Sequence, residues 1–124
     1  MINLVEKYYK IESCAKEGEE TIFRIALMPD YCAYKGHFPG NPVSPGVCNI
    51  QMIKELAEKV IGLRTFIAYI AQCRFSAVIT PDLNPFLTVG LLISGSENLF
   101  KVKASISDGE QTFMEFKGEL TTML

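Results

Sequence analysis

Ser44-Pro45-Gly46-Val47-Cys48-Asn49-Ile50-Gln51-Met52-Ile53-Lys54-Glu55-Leu56-Ala57-Glu58-Lys59-Val60-Ile61-Gly62 is the stretch on which the fold turns. Val47, Ile50, Ile53, Leu56, Ala57, Val60 and Ile61 recur at three- and four-residue spacing, which predicts an amphipathic helix from about Gly46 to Ile61. Ser44 is the expected N-cap with Pro45 at the first helical position, and Gly62 the expected C-terminal stop. Cys48 and Met52 widen the apolar arc, while Gln51, Lys54, Glu55 and Glu58 share the other side.

Downstream of this helix the chain changes period. Arg64–Ser76, Phe86–Ser94, Phe100–Ser107 and Thr112–Thr121 are rich in Ile, Val, Phe and Thr and read as strands. Asp108-Gly109 between the last two is a hairpin signal. Upstream, Thr21–Met28 reads as a strand, and the polar, mixed stretch from Asn3 to Glu20 as a short helix or strand leading into the fold. One long helix followed by an antiparallel meander is an α+β pattern, with one sheet face buried on the helix.

The chain has 124 residues, room for a single domain over residues 1–124. Hydrophobic residues make up 48% and charged residues 21%, the balance of a globular protein with a core. Twelve Lys and Arg against fourteen Asp and Glu leave a net charge of -2, which offers no field for nucleic acid. The apolar runs are too short for a membrane span, and no leader pattern opens the chain, so it reads as cytoplasmic. Cys14, Cys32, Cys48 and Cys73 form no C-x-x-C pair and have no companion histidines, so they read as small buried hydrophobes. Neither a metal nor a cofactor is expected.

The chemistry is concentrated just before the helix. Gly36-His37-Phe38-Pro39-Gly40-Asn41-Pro42-Val43-Ser44-Pro45-Gly46 packs three prolines and three glycines into eleven residues, which makes a stiff loop. His37 is the sole histidine of the chain. Gly46 brings an unobstructed backbone N–H to a helix N-terminus, where developing negative charge is favoured. A base near neutral pKa and an oxyanion donor are the parts needed to remove a proton α to a carbonyl. The competing reading is a structural Pro-rich turn with a hydrogen-bonded histidine.

His37-Phe38-Pro39-Gly40-Asn41-Pro42-Val43-Ser44-Pro45-Gly46-Val47 resembles the active-site signature of the β-hydroxyacyl-[acyl-carrier-protein] dehydratases, which have the hotdog fold. Cys73-Arg74-Phe75, Thr80-Pro81-Asp82 and Lys101–Leu120 continue the resemblance more weakly. It implies a long helix wrapped by an antiparallel sheet, a dimer or higher oligomer, and active sites shared between subunits. It implies that His37 handles the α-proton and that the Gly46 N–H meets the thioester carbonyl. Phe38, Pro39, Gly40, Val43, Pro45 and Val47 would then line the substrate. The substrate would be a 3-hydroxyacyl thioester of an acyl carrier protein or coenzyme A, in fatty-acid, polyketide or aryl-polyene-type synthesis. Lys54, Arg64, Arg74, Lys101 and Lys103 are candidate cations for an acidic carrier.

One position departs from the pattern. Fourteen residues after His37, where the family has its helix carboxylate, this chain has Gln51. Glutamine hydrogen-bonds but has no titratable proton. Three readings follow: Glu55, one turn on, reaches the site itself or through water; an acid-bearing paralogue completes a heterodimer; or the chain is a non-catalytic partner or acyl-thioester binding module. A hotdog thioesterase, with Cys48 as its nucleophile, is a further alternative.

Overall fold

A computed structural model of the chain describes residues 3–31 and 43–123. Its elements are β1 (Tyr9–Glu17), β2 (Glu20–Leu27), α1 (Gly46–Ile61), β3 (Thr65–Phe75), β4 (Phe86–Ser96), β5 (Leu99–Ser107) and β6 (Thr112–Thr122). The strands form one antiparallel sheet in the order β1-β2-β4-β5-β6-β3. The predicted helix and the strands after it lie where the periodicity puts them, and the ambiguous lead-in resolves as β1.

Register decides which face is buried. Val89 pairs with Ile106 and Leu91 with Ala104, while Ala104 also pairs with Phe116 and Ile106 with Met114. Alternate side chains of β4, β5 and β6 thus fall on one face, and all of these are buried together with Met52, Ile53, Leu56 and Ala57 of α1. Lys101, Lys103 and Lys117 occupy the intervening, solvent-facing positions. With Lys16 they line a groove of about 670 Å³ on the outer face of the sheet.

Turn chemistry closes the strand pairs. Asp108 Oδ1 accepts from the backbone N–H groups of Glu110 and Gln111 at 2.9 and 2.7 Å, and Gly109 supplies the left-handed residue at φ 98°. Those amide bonds hold the Asp108 carboxyl below its ordinary range. Gly95 is the tighter case, with φ 108° and a position where a Cβ would stand 2.3 Å from the Leu99 carbonyl oxygen. Gly95→Ala is therefore expected to lower stability by more than about 1 kcal/mol in urea denaturation, since both backbone and space oppose it.

The helix differs from expectation at its start and in its faces. Pro45, not Ser44, is the N-cap, with φ -66° and ψ 137°. The Pro45 carbonyl accepts from the N–H groups of Cys48 and Asn49 at 3.1 and 3.2 Å, and the cap has no side-chain hydrogen bond. Ser44 is instead tied by its backbone N–H to the Ile79 carbonyl at 2.8 Å, which seats the entry of α1 beside the β3–β4 connection. The stop at Gly62 is as expected, with φ 84° and an N–H bonded to the Glu58 carbonyl.

Val47 and Val60, assigned to the apolar face, are 62% and 42% exposed, whereas Gln51 and Glu55, assigned to the polar side, are buried. The N-terminal segment is the reason. Leu4, Tyr8 and Tyr9 are buried in the same core cluster as the inner face of α1. Their cover reaches the side of the helix that carries Gln51 and Glu55.

The thiols divide by environment. Cys48 is buried, Cys73 half-buried and Cys14 exposed on β1, so the last corrects the reading of the cysteines as buried hydrophobes. Burial pushes the Cys73 thiol up. Cys32 lies outside the described residues.

Candidate active site

The start of α1 offers the first component. A helix leaves its leading N–H groups without intrahelical partners, and among the described residues none accepts from the Gly46 N–H. The Phe75 ring of β3 stands close against Gly46, since a Cβ there would lie 2.8 Å from Cζ of Phe75. Pro45 and Gly46 are half-buried, Val43 likewise, and Val47 exposed. The remaining residues of the signature loop, His37, Phe38, Pro39, Gly40, Asn41 and Pro42, lie outside the described residues.

Gln51 follows along the helix, 7% exposed. Its Nε2 donates to Oε2 of Glu55 at 2.9 Å. Glu55, itself 6% exposed, is the hub of a buried polar network. Oε2 also accepts from the Leu4 N–H at 2.7 Å, while Oε1 accepts from the Val5 N–H and the Tyr9 hydroxyl, each at 3.0 Å. Four donors converge on one carboxylate, an arrangement that satisfies a buried charge. Tyr8 adds a parallel tie, its hydroxyl donating to Asn49 Oδ1 at 2.6 Å.

This network bears on the missing acid. Glu55 lies one turn from Gln51 on the same side of α1, as the spacing requires, yet both of its oxygens are already engaged. It is not a surface glutamate: it anchors the N-terminal segment to the helix, at the edge of a crevice that Glu58 and Arg64 also line. Tyr8, Tyr9 and Asn49 were not singled out from the sequence. The available signal was the pair of adjacent tyrosines after Leu4-Val5, a dense apolar patch in an otherwise polar lead-in.

The Tyr9 hydroxyl is held protonated far above the ordinary tyrosine range, first by burial and then by the charge and hydrogen bond of Glu55. The sign of the linkage follows. The folded-state pKa is raised, so this contribution to stability is complete below about pH 10 and declines above it, where tyrosine ionises only in the unfolded chain. Tyr9→Phe is expected to cost about 1.5–3 kcal/mol at neutral pH, the worth of a hydrogen bond to a charged group. It is also expected to flatten the alkaline decline, and urea titrations at neutral and alkaline pH measure both effects.

The candidate cations do not form one patch. Lys54 is paired with Glu58 at 3.4 Å, and Glu58 also accepts from the backbone N–H and hydroxyl of Thr65. Lys101 and Lys103 lie in the outer groove of the sheet, while Arg64 borders a crevice at the C-terminal end of α1. Cys48 is packed in the core cluster, which suits a small hydrophobe and not a nucleophile.

The sequence profile of the ApeI-like family, described as ApeI dehydratase, matches residues 13–115. The chain belongs to the ApeI-like dehydratase family. The curated relatives similar to this ApeI-like chain include the 3-hydroxyacyl-[acyl-carrier-protein] dehydratase FabZ of Caldanaerobacter subterraneus, 32% identical over 115 residues, covering 87% of this chain and 78% of that enzyme. The FabZ of Levilactobacillus brevis is 34% identical over 85 residues, and the match spans 57% of its length.

Among solved structures, the dehydratase heterocomplex ApeI:P from Xenorhabdus doucetiae is similar with a TM-score of 0.70 and 19% identity, covering 90% of this chain and 96% of that one. A variant of the fluoroacetyl-CoA-specific thioesterase FlK gives a TM-score of 0.67 at 14% identity, with 90% of each chain covered. Both likenesses concern the fold, and the ApeI-like chain has the α+β hotdog architecture that its loop signature implied.

Proposed function

We propose that this chain, acting as one hotdog domain over residues 1–124, is a 3-hydroxyacyl-thioester dehydratase-like protein whose site is completed by another chain. The observation that carries this reading is the helix that opens with a Gly46 N–H unclaimed among the described residues and carries a buried Gln51 where a proton donor is needed. In dehydration the α-C–H bond breaks, a C=C bond forms and the C3–O bond breaks, releasing water. His37 takes the α-proton. The Gly46 N–H stabilises the charge that develops on the thioester oxygen. Phe38, Pro39, Gly40, Val43, Pro45 and Val47 line the acyl path.

The departing hydroxyl needs a proton that Gln51 does not have. Glu55 is committed to four donors. Together these favour a second form of the same reading, a subunit whose His37 works with a carboxylate from an acid-bearing paralogue. The heteromeric assembly named for the Xenorhabdus doucetiae structure is in keeping with it. The substrate is an acyl carrier protein or coenzyme A thioester.

The two sheet edges differ in a way that supports pairing between subunits. β1 carries exposed charges along its length, the usual protection of an edge strand, whereas β3 exposes Phe66, Tyr69, Ile70 and Phe75. A dimer joined along β3 is expected by light scattering at micromolar concentration, and a monomer would count against the shared site. Among the described residues, no helix is long and apolar enough to cross a membrane.

The residue test is direct. In whatever assembly turns over, His37→Ala is expected to abolish formation of the enoyl product and Cys48→Ala to leave most of it. Equal losses from the two would favour a cysteine-based thioesterase.

A further inference from the structure

The hydrogen bond between Gln51 and Glu55 has only one possible sense. The backbone N–H groups of Leu4 and Val5 sit on Oε2 and Oε1 of Glu55 at 2.7 and 3.0 Å, and a carboxylate so held accepts and has nothing to give. The amide of Gln51 therefore turns its nitrogen toward Glu55, at 2.9 Å. Because the amide group is planar, Oε1 faces away from Glu55. Among the described residues no donor reaches it.

We propose that Glu55 is a positioning residue that fixes the Gln51 amide so that the site presents a hydrogen-bond acceptor, and that this acceptor selects acyl chains bearing a hydroxyl. The inference rests on the reading above, in which Gln51 faces an acyl thioester. A 3-hydroxyl donates to Oε1 and satisfies it. A saturated chain leaves the oxygen bare, and a 3-oxo group sets acceptor against acceptor. A freely rotating glutamine would offer its nitrogen to the 3-oxo compound and lose this preference. Glu55 removes that freedom through an anchor that extends to the N-terminal segment, so the preference depends on a residue that never touches the ligand.

The test is calorimetric binding of two amide analogues of octanoyl-pantetheine, one bearing the 3-hydroxyl and one without it, to the full chain. The hydroxylated analogue is expected to bind about fivefold more tightly, the worth of one hydrogen bond. Gln51→Leu is expected to bring the two affinities together by weakening the hydroxylated analogue relative to the unsubstituted one. Glu55→Asp keeps the charge but draws the carboxylate back by one methylene, and is expected to narrow the ratio while leaving the affinity for the unsubstituted analogue within about twofold. A residue that served only stability would not move that ratio.

Binding of both analogues with no preference, or a preference that survives Gln51→Leu or Glu55→Asp, overturns the positioning role while leaving the acyl-thioester reading in place. Binding of neither overturns both. Should Glu55→Asp fail to fold, the wild type and Gln51→Leu decide the selectivity, and a preserved preference in the latter still overturns the proposal.

Discussion

Gln51→Glu is expected to raise the rate of enoyl formation from a 3-hydroxyacyl carrier-protein substrate at least about tenfold, a floor well under the 10² to 10⁴ credited to a positioned acid or base. The structure adds a reason that the residue swap alone does not give. The new carboxyl would face Oε2 of Glu55 across the distance now spanned by a 2.9 Å hydrogen bond. Two carboxylates at that range share a proton, and the pair holds it to higher pH than an isolated carboxyl does. A carboxyl that keeps its proton toward neutral pH is a competent acid.

The same coupling sets the variant's pH behaviour. Its folded-state pKa is raised, so the protonated pair contributes fully at acid pH, and both stability and acid-dependent turnover decline as pH rises through the raised value. Combining Gln51→Glu with Glu55→Gln exchanges acid and amide and restores a neutral donor opposite the new carboxyl, which relieves the stability loss at higher pH. Following the enoyl product across pH for both variants measures each effect. No gain over the parent would show that the pocket, and not only its acid, has departed from dehydration.

Glu55→Ala is expected to give the largest stability loss, at least about 3 kcal/mol in urea denaturation. Each buried donor left without an acceptor costs about 1–3 kcal/mol, and this substitution strands the Leu4 and Val5 N–H groups, the Tyr9 hydroxyl and the Gln51 amide together. Relaxation and water entry recover part of the sum. The loss should be local first. The amides of Leu4 and Val5 are expected to lose protection from hydrogen exchange before the strands do. A cost below about 1 kcal/mol would contradict the anchoring role.

These effects mark where the sequence could be read and where it could not. The span of the helix and its stop at Gly62 were legible from apolar spacing, and β4, β5 and β6 because β-rich runs alternate with turn residues. The α+β hotdog class followed from that order and from the loop signature. The inner and outer sides of the helix were not legible in full. Helical periodicity says which residues are apolar, not which elements cover them, so Gln51 and Glu55 read as solvent-facing until Leu4, Tyr8 and Tyr9 are seen to lie in the same core. Ser44 read as a cap because serine at that offset commonly is one. Its actual restraint, the bond to the Ile79 carbonyl, spans 35 residues and leaves no trace in local sequence. The absence of an acid at Gln51, by contrast, followed from the resemblance of the loop to the dehydratase signature, while the commitment of Glu55 to the N-terminal segment required the fold.

In the function proposed above, this chain supplies the base half of a dehydration site and lacks only the acid, which a second subunit contributes. Mixing two forms of the protein tests it most directly. The parent carries His37 and Gln51; the double variant His37→Ala/Gln51→Glu has the acid without the base. After co-refolding or co-expression, dimers holding one chain of each kind contain a site with His37 from one subunit and the introduced carboxyl from the other. The mixture is expected to form enoyl product from a 3-hydroxyacyl carrier-protein substrate at a rate well above the sum of the two separate proteins. A rate equal to that sum, in a mixture shown by mass spectrometry to contain the hybrid dimer, would contradict it.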